Sequence, residues 1–421
     1  MQTTFNSSLA QGINLTSMQA KQFKTSVLSV TMTVPLGKNN GFAAILPHVL
    51  LRGTQNHPDM LSLSRKLDTL YGARIVPLIR KAGANLAIGF IADVIDERFA
   101  NGNLTNEVID LLCELIHKPA LENGFLLSEY VESEKQNLID RIARLKSDTR
   151  SYVVRRMREI MYENEPFGLC EYGNVEEIQN INPQNLTEYL NELINTAPMQ
   201  IFYCGSVNSN EIENKFKSAF SFKKSNTKPA ENIILPAPTE PKYITETMPV
   251  SQGKLAIGLR TGVTATSNEY PALMLFSTIL GGYTGSRLFK HVREKLSLCY
   301  YASCGIDKFT GSMTITSGIE NKNAELAQKE ILAQIDDMKN GNITEQELFD
   351  AKRNILDLLK SMNDSPLTLE SYFQSGIMNN ISLSLDKLSE QIDKICVQDV
   401  IKVGQNIKLD TVYFMKGGES V

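Results

Sequence analysis

The chain has 421 residues, with 43 Lys and Arg against 47 Asp and Glu, giving a formal net charge of −4. Such a near balance excludes a protein organised around clustered positive charge, so neither a nucleic-acid partner nor a polybasic membrane surface is expected. At 42% hydrophobic and 21% charged the composition is that of a globular protein, and at roughly 150 residues per domain the length allows two or three cores.

No run of about 18 apolar residues occurs, so no transmembrane helix is expected. The opening MQTTFNSSLAQGINLTSMQA lacks the basic and apolar regions of a signal peptide. Six Cys (113, 170, 204, 299, 304 and 396) are scattered along the chain and suit a reducing compartment, so a cytoplasmic location is the expectation.

In chain order, an extended run from Val27 to Leu36 precedes an apolar helix from Ala43 to Leu51 and then Gly53. A second, amphipathic helix leads to Tyr71 and a pair of strands between Arg74 and Asp93. Helices are predicted at 125–146, 150–161 and 183–195, followed by a strand at 199–207. Residues 223–250 hold five Pro and read as a surface linker, because Pro fits neither helix interiors nor central strands. The linker separates an N-terminal domain, 1–222, from a C-terminal domain, 251–421.

The second half repeats the order of the first. An extended run (Leu255 to Val263), an apolar helix (Ala272 to Leu280) and Gly282 come first; a second helix, Tyr300 and a strand pair between Ala302 and Ile319 follow. Aligned at an offset of 229 positions, 41–92 and 270–321 share nine identities, among them Gly53/Gly282, Lys66/Lys295, Tyr71/Tyr300 and Gly89/Gly318. Helices at 321–340, 344–363 and 384–406 and a strand at 411–418 complete this half. The expected fold class is therefore α+β: two homologous αβ domains, each a mixed sheet with helices packed on one face.

Metal chemistry finds little support in these residues. There are four His, none paired at the i, i+4 spacing that places two imidazoles on one helix face. Cys113 and His117 read as a buried thiol and a helix C-terminal imidazole ahead of Pro119. Cys299, Cys304 and His291 read as core packing. The run Gly281, Gly282, Tyr283, Thr284, Gly285 lacks the Lys-Ser/Thr of a phosphate loop and reads as a turn between helices. Arg293 and Tyr300, seven apart at a helix-to-strand junction, read on residues alone as a surface charge and a strand-start aromatic.

Several stretches together carry a resemblance over nearly the whole chain: GFAAILPHVLLRGT (41–54), LDTLYGAR (67–74), ESEKQNLIDRI (132–142), ENEPFG (163–168) with Gly173, LGGYTGSRLFKHVREKLSLCYYAS (280–303) and the terminal DTVYFMKGG. The chain resembles the insulinase-like (pitrilysin-type) zinc peptidases, the group that includes the mitochondrial processing peptidases. It is especially similar to a bacterial subfamily named for association with modification of translation elongation factor P. The resemblance implies repeated αβ domains forming half of a clamshell around a peptide chamber.

Active members carry an inverted zinc motif, His-x-x-Glu-His, in which two His hold zinc and the Glu activates a bound water. Here the window reads Ala44, Ile45, Leu46, Pro47, His48, so the first ligand is Ala44, the base is Pro47, and only His48 remains. The third ligand, aligned on Glu134, falls on Arg141, a cation. The resemblance thus implies that this chain binds no zinc, and Pro47 is expected to disturb its helix. The family's second half contributes an Arg and a Tyr, seven apart, that stabilise the oxyanion; Arg293 and Tyr300 fall on those positions. Gly281, Gly282 and Gly285 match the family's glycine turn near the substrate path.

In two-subunit members one chain supplies the zinc motif and the other the Arg/Tyr pair. The expectation is therefore a non-catalytic subunit, inactive alone, whose partner carries His-x-x-Glu-His and the zinc, the two enclosing a peptide substrate. The alternative is a scaffold or a peptide-binding homodimer of the same fold without proteolysis.

Overall fold

The β-branched runs of the sequence become the central strands of two sheets. A computed structural model describes residues 4–222, 227–378, 381 and 384–418. The strands are β1 (Thr4–Ala10), β2 (Ile13–Gln19), β3 (Thr25–Pro35), β4 (Arg74–Ala82), β5 (Asn85–Ile95), β6 (Leu121–Glu122), β7 (Phe125–Leu126), β8 (Met199–Gly205), β9 (Lys242–Met248), β10 (Gly253–Arg260), β11 (Cys299–Asp307), β12 (Ser312–Ile319) and β13 (Lys408–Gly417). The first sheet has the order β1-β2-β8-β3-β5-β4, the second β11-β12-β10-β13-β9, and β6 and β7 form a small hairpin. Without β1 the two large sheets match strand for strand. Each has one parallel pair, β2 with β8 and β9 with β13, and is otherwise antiparallel. The duplication seen in the sequence is thus a duplication of topology.

Central strands are buried on both faces. Nearly every position of β3, TSVLSVTMTVP, and all of β10, GKLAIGLR, is buried, so they read as continuous rather than alternating apolar runs. In the first sheet Val30, Phe90 and Ile201 share one face and form the core with the helices Asn40–Leu50 and Leu104–His117. Local chemistry sets the helix boundaries. Asp59 and Ser62 form a capping box on the helix Met60–Thr69, and Asn182 and Asn185 form another, with Pro183 in the first turn, on Pro183–Thr196.

The chain folds into two compact units that do not follow the linear halves. One holds residues 1–143, 169–231 and 362–382; the other holds 144–168, 232–361 and 383–421. In addition to its main helical layer, each sheet therefore carries, on the opposite face, a helix from the other half of the sequence. In the first unit this is Pro366–Ile377. Its Phe373 stacks on Phe202 with centroids 6.3 Å apart, its Gln374 Nε2 donates to Ser29 Oγ at 3.1 Å, and its buried Glu370 is paired with Arg80 at 2.7 Å. In the second unit it is Thr149–Met161, which packs over β10 and β13 and sets the sulfurs of Met157 and Met161 against Gly258.

The expected linker at 223–250 needs correcting. Residues 223–226 lie outside the described residues, 227–241 have no regular structure, and 242–248 form strand β9. This strand escapes a hydrophobic pattern because it is a half-exposed edge held by polar bonds. Glu246 accepts from Tyr413 Oη at 2.9 Å and from Arg156 Nη2 at 2.8 Å. Two further expectations change. The helix at 384–406 divides into Leu385–Lys394 and Val397–Gln405, and Pro47 does not break Asn40–Leu50. The proline sits in the last turn, and its carbonyl still accepts from Leu51 N–H at 3.1 Å.

Candidate functional site

The helix Asn40–Leu50 carries the window, Ala44 to His48, that the resemblance sets against the zinc motif. Its start is fixed by side chains from elsewhere in the first unit. Gly41 N–H donates to Glu177 Oε1 at 2.7 Å, and Asn40 Nδ2 donates to the Cys170 carbonyl at 2.8 Å. Ala44, Ile45, Leu46 and Pro47 are buried, so the positions of the first ligand and of the base face the core. His48 is half-buried, and its Nε2 lies 3.4 Å from Arg141 Nη1, which donates to it. Burial first, and then the positive charge of Arg141, push the His48 pKa below its ordinary value against an opposing pull from Glu134. A guanidinium has no acceptor, so in this contact the imidazole accepts at Nε2.

The neighbouring carboxylate is already neutralised. Glu134 accepts from Arg52 Nε at 2.6 Å, and Arg52 Nη2 also reaches Ser133 Oγ at 2.8 Å. His48 and Arg141 thus meet as an imidazole–guanidinium contact, in which a divalent cation would face a fixed positive charge. Among the described residues no group of three or more His, Cys, Asp or Glu is placed to hold a metal ion. These residues do not fit zinc.

The second candidate element lies wholly in the second unit. After the helix Tyr270–Gly281 the chain turns and forms Leu288–Lys295, wound as a π-helix, with Leu296 N–H reaching the His291 carbonyl at 3.2 Å. Leu288 and Val292 are its buried contacts. Its start is pinned by the buried Arg287, which donates to Glu347 Oε1 at 2.7 Å, to Asp337 Oδ2 at 2.6 Å and to the Asn342 carbonyl. Ser297 then takes a left-handed conformation, φ 50°, and strand β11 begins with a register shift. Cys299 pairs with Ile319 and Tyr301 with Gly318, which leaves Tyr300 as the extra, unpaired residue of a β-bulge.

Three backbone irregularities in succession therefore place Arg293 and Tyr300 in solvent. The Arg293 guanidinium stands 4.5 Å from the Phe289 ring. Tyr300 is 61% exposed, with its hydroxyl 3.4 Å from Glu320 Oε1 as a long contact. The carboxyl of Glu320 is itself held below its usual range by Lys322, 2.9 Å away. A π-turn, a left-handed non-glycine and a bulge are each costly departures that recur where a side chain must be aimed.

The glycine turn is less uniform than its sequence suggests. Gly281 is buried against β11, and a Cβ there would lie 2.7 Å from the Cys304 amide nitrogen, so packing alone requires its small size. Gly282 is exposed and Gly285 half-exposed in the turn that follows. Cys304 accepts from Ser277 Oγ at 3.3 Å, and burial pushes its thiol up to about 12, which makes it a core thiol rather than a ligand.

The ENEPFG stretch has a structural role that its sequence does not disclose. Glu165 accepts from Arg260 Nη2 at 2.5 Å and from Nη1 at 3.0 Å, while Asp410 accepts from Arg260 Nε at 2.9 Å. All three side chains are buried. This network fixes the 144–168 segment on the second sheet. Its three members are too distant in sequence to pair without knowledge of strand register.

Comparison with known proteins agrees with this architecture. Residues 180–355 match the family model described as the peptidase M16 inactive domain. The chain is 33% identical over 411 residues to the probable inactive metalloprotease YmfF of Bacillus subtilis, covering 97% of this chain and 96% of that protein. It is 22% identical to the mitochondrial-processing peptidase subunit beta of Saccharomyces cerevisiae, over 86% of this chain and 79% of that one. A conserved protein of Enterococcus faecalis superposes with a TM-score of 0.90 at 24% identity, and a peptidase M16 inactive domain of Pseudomonas fluorescens with 0.80 at 17%. These cover 99% and 100% of this chain, and the same shares of the two structures. The chain belongs to the insulinase-like M16 peptidase family.

Proposed function

We propose that this chain is the non-catalytic subunit of a two-subunit zinc peptidase. Its partner supplies His-x-x-Glu-His and the zinc; this chain supplies Arg293 and Tyr300 and helps to enclose the peptide. The observation that carries the proposal is the contrast between its two candidate elements. The metal position is filled by Arg141 against His48, whereas Arg293 and Tyr300 are held in solvent by a costly run of backbone irregularities. A guanidinium and a phenol that face outward without strong partners are suited to meet the negative charge of a tetrahedral intermediate. The likeness to a mitochondrial-processing peptidase subunit supports the two-chain arrangement.

In the assembled complex Arg293→Ala or Tyr300→Phe should lower kcat by about 10²–10³, the usual loss for one oxyanion donor, while assembly is unchanged. Unchanged rates for both variants would refute the proposal. They would favour the scaffold or peptide-binding homodimer, for which the pair is dispensable.

A further inference from the structure

One residue beyond the bulge, two cationic groups and a phenol gather on one face of the second sheet. Lys254 on β10 pairs with Gly318 on β12, and Gly318 pairs with Tyr301 on β11, so Lys254 and Tyr301 lie in one row on the same face of the second sheet. Gly318 lets them approach. At the place where its Cβ would stand, Tyr301 Cε1 is 2.5 Å away and Gln252 Oε1 is 3.3 Å away. The Lys254 ammonium is 3.4 Å from that same Gln252 oxygen. Over the Tyr301 ring, on the first turn of the helix Thr149–Met161, sits the Arg150 guanidinium, 4.3 Å from the centroid.

The donors are unspent. The Tyr301 hydroxyl is buried and makes no hydrogen bond. Lys254 is buried, and among the described residues neither it nor Arg150 has a carboxylate within ion-pair distance. Among the described residues the nearby acid, Asp148, is committed to its helix cap, accepting from Arg150 N–H, Ser151 N–H and Ser151 Oγ. Burial, and then the charge of Arg150, lower the Lys254 pKa against an opposing pull from Asp148. Arg150 and Asp148 are exposed, so the group is open on its Arg150 side.

We infer that Arg150, Lys254 and the Tyr301 hydroxyl form a binding site for a carboxylate carried by the peptide, next to the Arg293 and Tyr300 element. An ammonium, a guanidinium and a phenol, beside a weakly engaged amide oxygen and an Asp148 carboxylate committed to its helix cap, select an oxyanion, and Arg adds the planar fork that carboxylates match. That the carboxylate belongs to a peptide rests on the function proposed above. Its source is either an acidic side chain or a free C-terminus.

The test uses the isolated full chain and four probes: N-acetyl-glutamate amide, its glutamine counterpart, N-acetyl-glycine and inorganic phosphate, followed by NMR of the Tyr301 ring and the Lys254 side chain. The site predicts saturable shifts with the glutamate probe or with N-acetyl-glycine, the stronger of the two identifying the source, and none with the glutamine probe. Arg150→Gln, Lys254→Met and Tyr301→Phe should each weaken binding, the two cation variants by at least about tenfold. Arg150 is exposed, so its variant retains the fold even where a buried substitution does not. No saturation, tighter binding of phosphate than of either carboxylate, or binding indifferent to Arg150→Gln would overturn the inference. None of these readouts requires peptidase activity. Failure here with a rate loss for Arg293→Ala leaves the proposed function standing; success here with unchanged Arg293 and Tyr300 variants removes that function and keeps the carboxylate site.

Discussion

The two sheets share one topology but differ where the second helix hands over to the edge hairpin. In the first copy Met60–Thr69 is a regular capped helix, and β4 pairs with β5 from Arg74 to Ala82 without a register shift. Tyr71, the counterpart of Tyr300, is left-handed at φ 58°, and its hydroxyl accepts from Asn101 N–H at 3.2 Å. In the second copy the helix is underwound into a π-turn, the hairpin is bulged, and Tyr300 has only a long contact to Glu320. Regular geometry satisfies the backbone of the first copy. The second copy gives up ladder bonds and helical spacing and leaves two side chains facing outward, the difference on which the proposed role of Arg293 and Tyr300 rests.

Each unit also fastens its sequence-remote helix with a buried ion pair, and removing these pairs is the largest perturbation available. Arg260→Met leaves Glu165 and Asp410 buried without a cation and should cost about 3–5 kcal/mol in urea unfolding. Arg80→Met, which strands the buried Glu370, should act in the same direction on the first unit. Next in size is the loss of about 10²–10³ in kcat, roughly 3–4 kcal/mol, for the Arg293 and Tyr300 variants in the complex. The corresponding change in the first copy, Tyr71→Phe, should leave kcat unchanged and so sharpen the contrast between the copies.

Smaller effects test the packing and the charge of the former metal corner. Gly281→Ala drives a methyl into the Cys304 backbone and should cost about 1–3 kcal/mol in thermal unfolding, without the kcat signature of a substrate-contacting residue. His48 has a lowered folded pKa, so the unfolded chain binds its proton more readily. Its contribution to stability is complete above the unfolded value near 6.5 and declines as the pH falls through that value toward the folded pKa. NMR titration of the His48 ring should show Arg141→Gln raising its pKa, and a lack of change would break the reading of that contact.

Much of this was legible in the sequence, for reasons that can be traced to particular residues. The repeat showed because strands such as β3 and β10 are buried on both faces and read as apolar runs. That Ala44, Pro47 and Arg141 are unfit to ligate a metal was legible from their side-chain chemistry alone, whatever their surroundings. Strand β9 was lost in a proline-rich stretch because its stabilising contacts, through Glu246, are polar. The helix Pro366–Ile377 was missed although Ser365 caps it by accepting from Thr368 N–H and Pro366 opens it, a local signal that was available. The exchange of helices between units, the Arg260 network and the Lys254–Tyr301 row were not legible, because each depends on strand register between distant segments.

The most direct test of the central claim is reconstitution. This chain is purified with the stoichiometric partner recovered from its own cells, and zinc content and peptide cleavage are measured for each chain alone and for the pair. The account predicts a partner of similar length with an intact His-x-x-Glu-His, one zinc per pair held by that partner, and cleavage by the pair alone. Zinc binding and cleavage by this chain by itself, or full activity of the partner without it, would contradict the account.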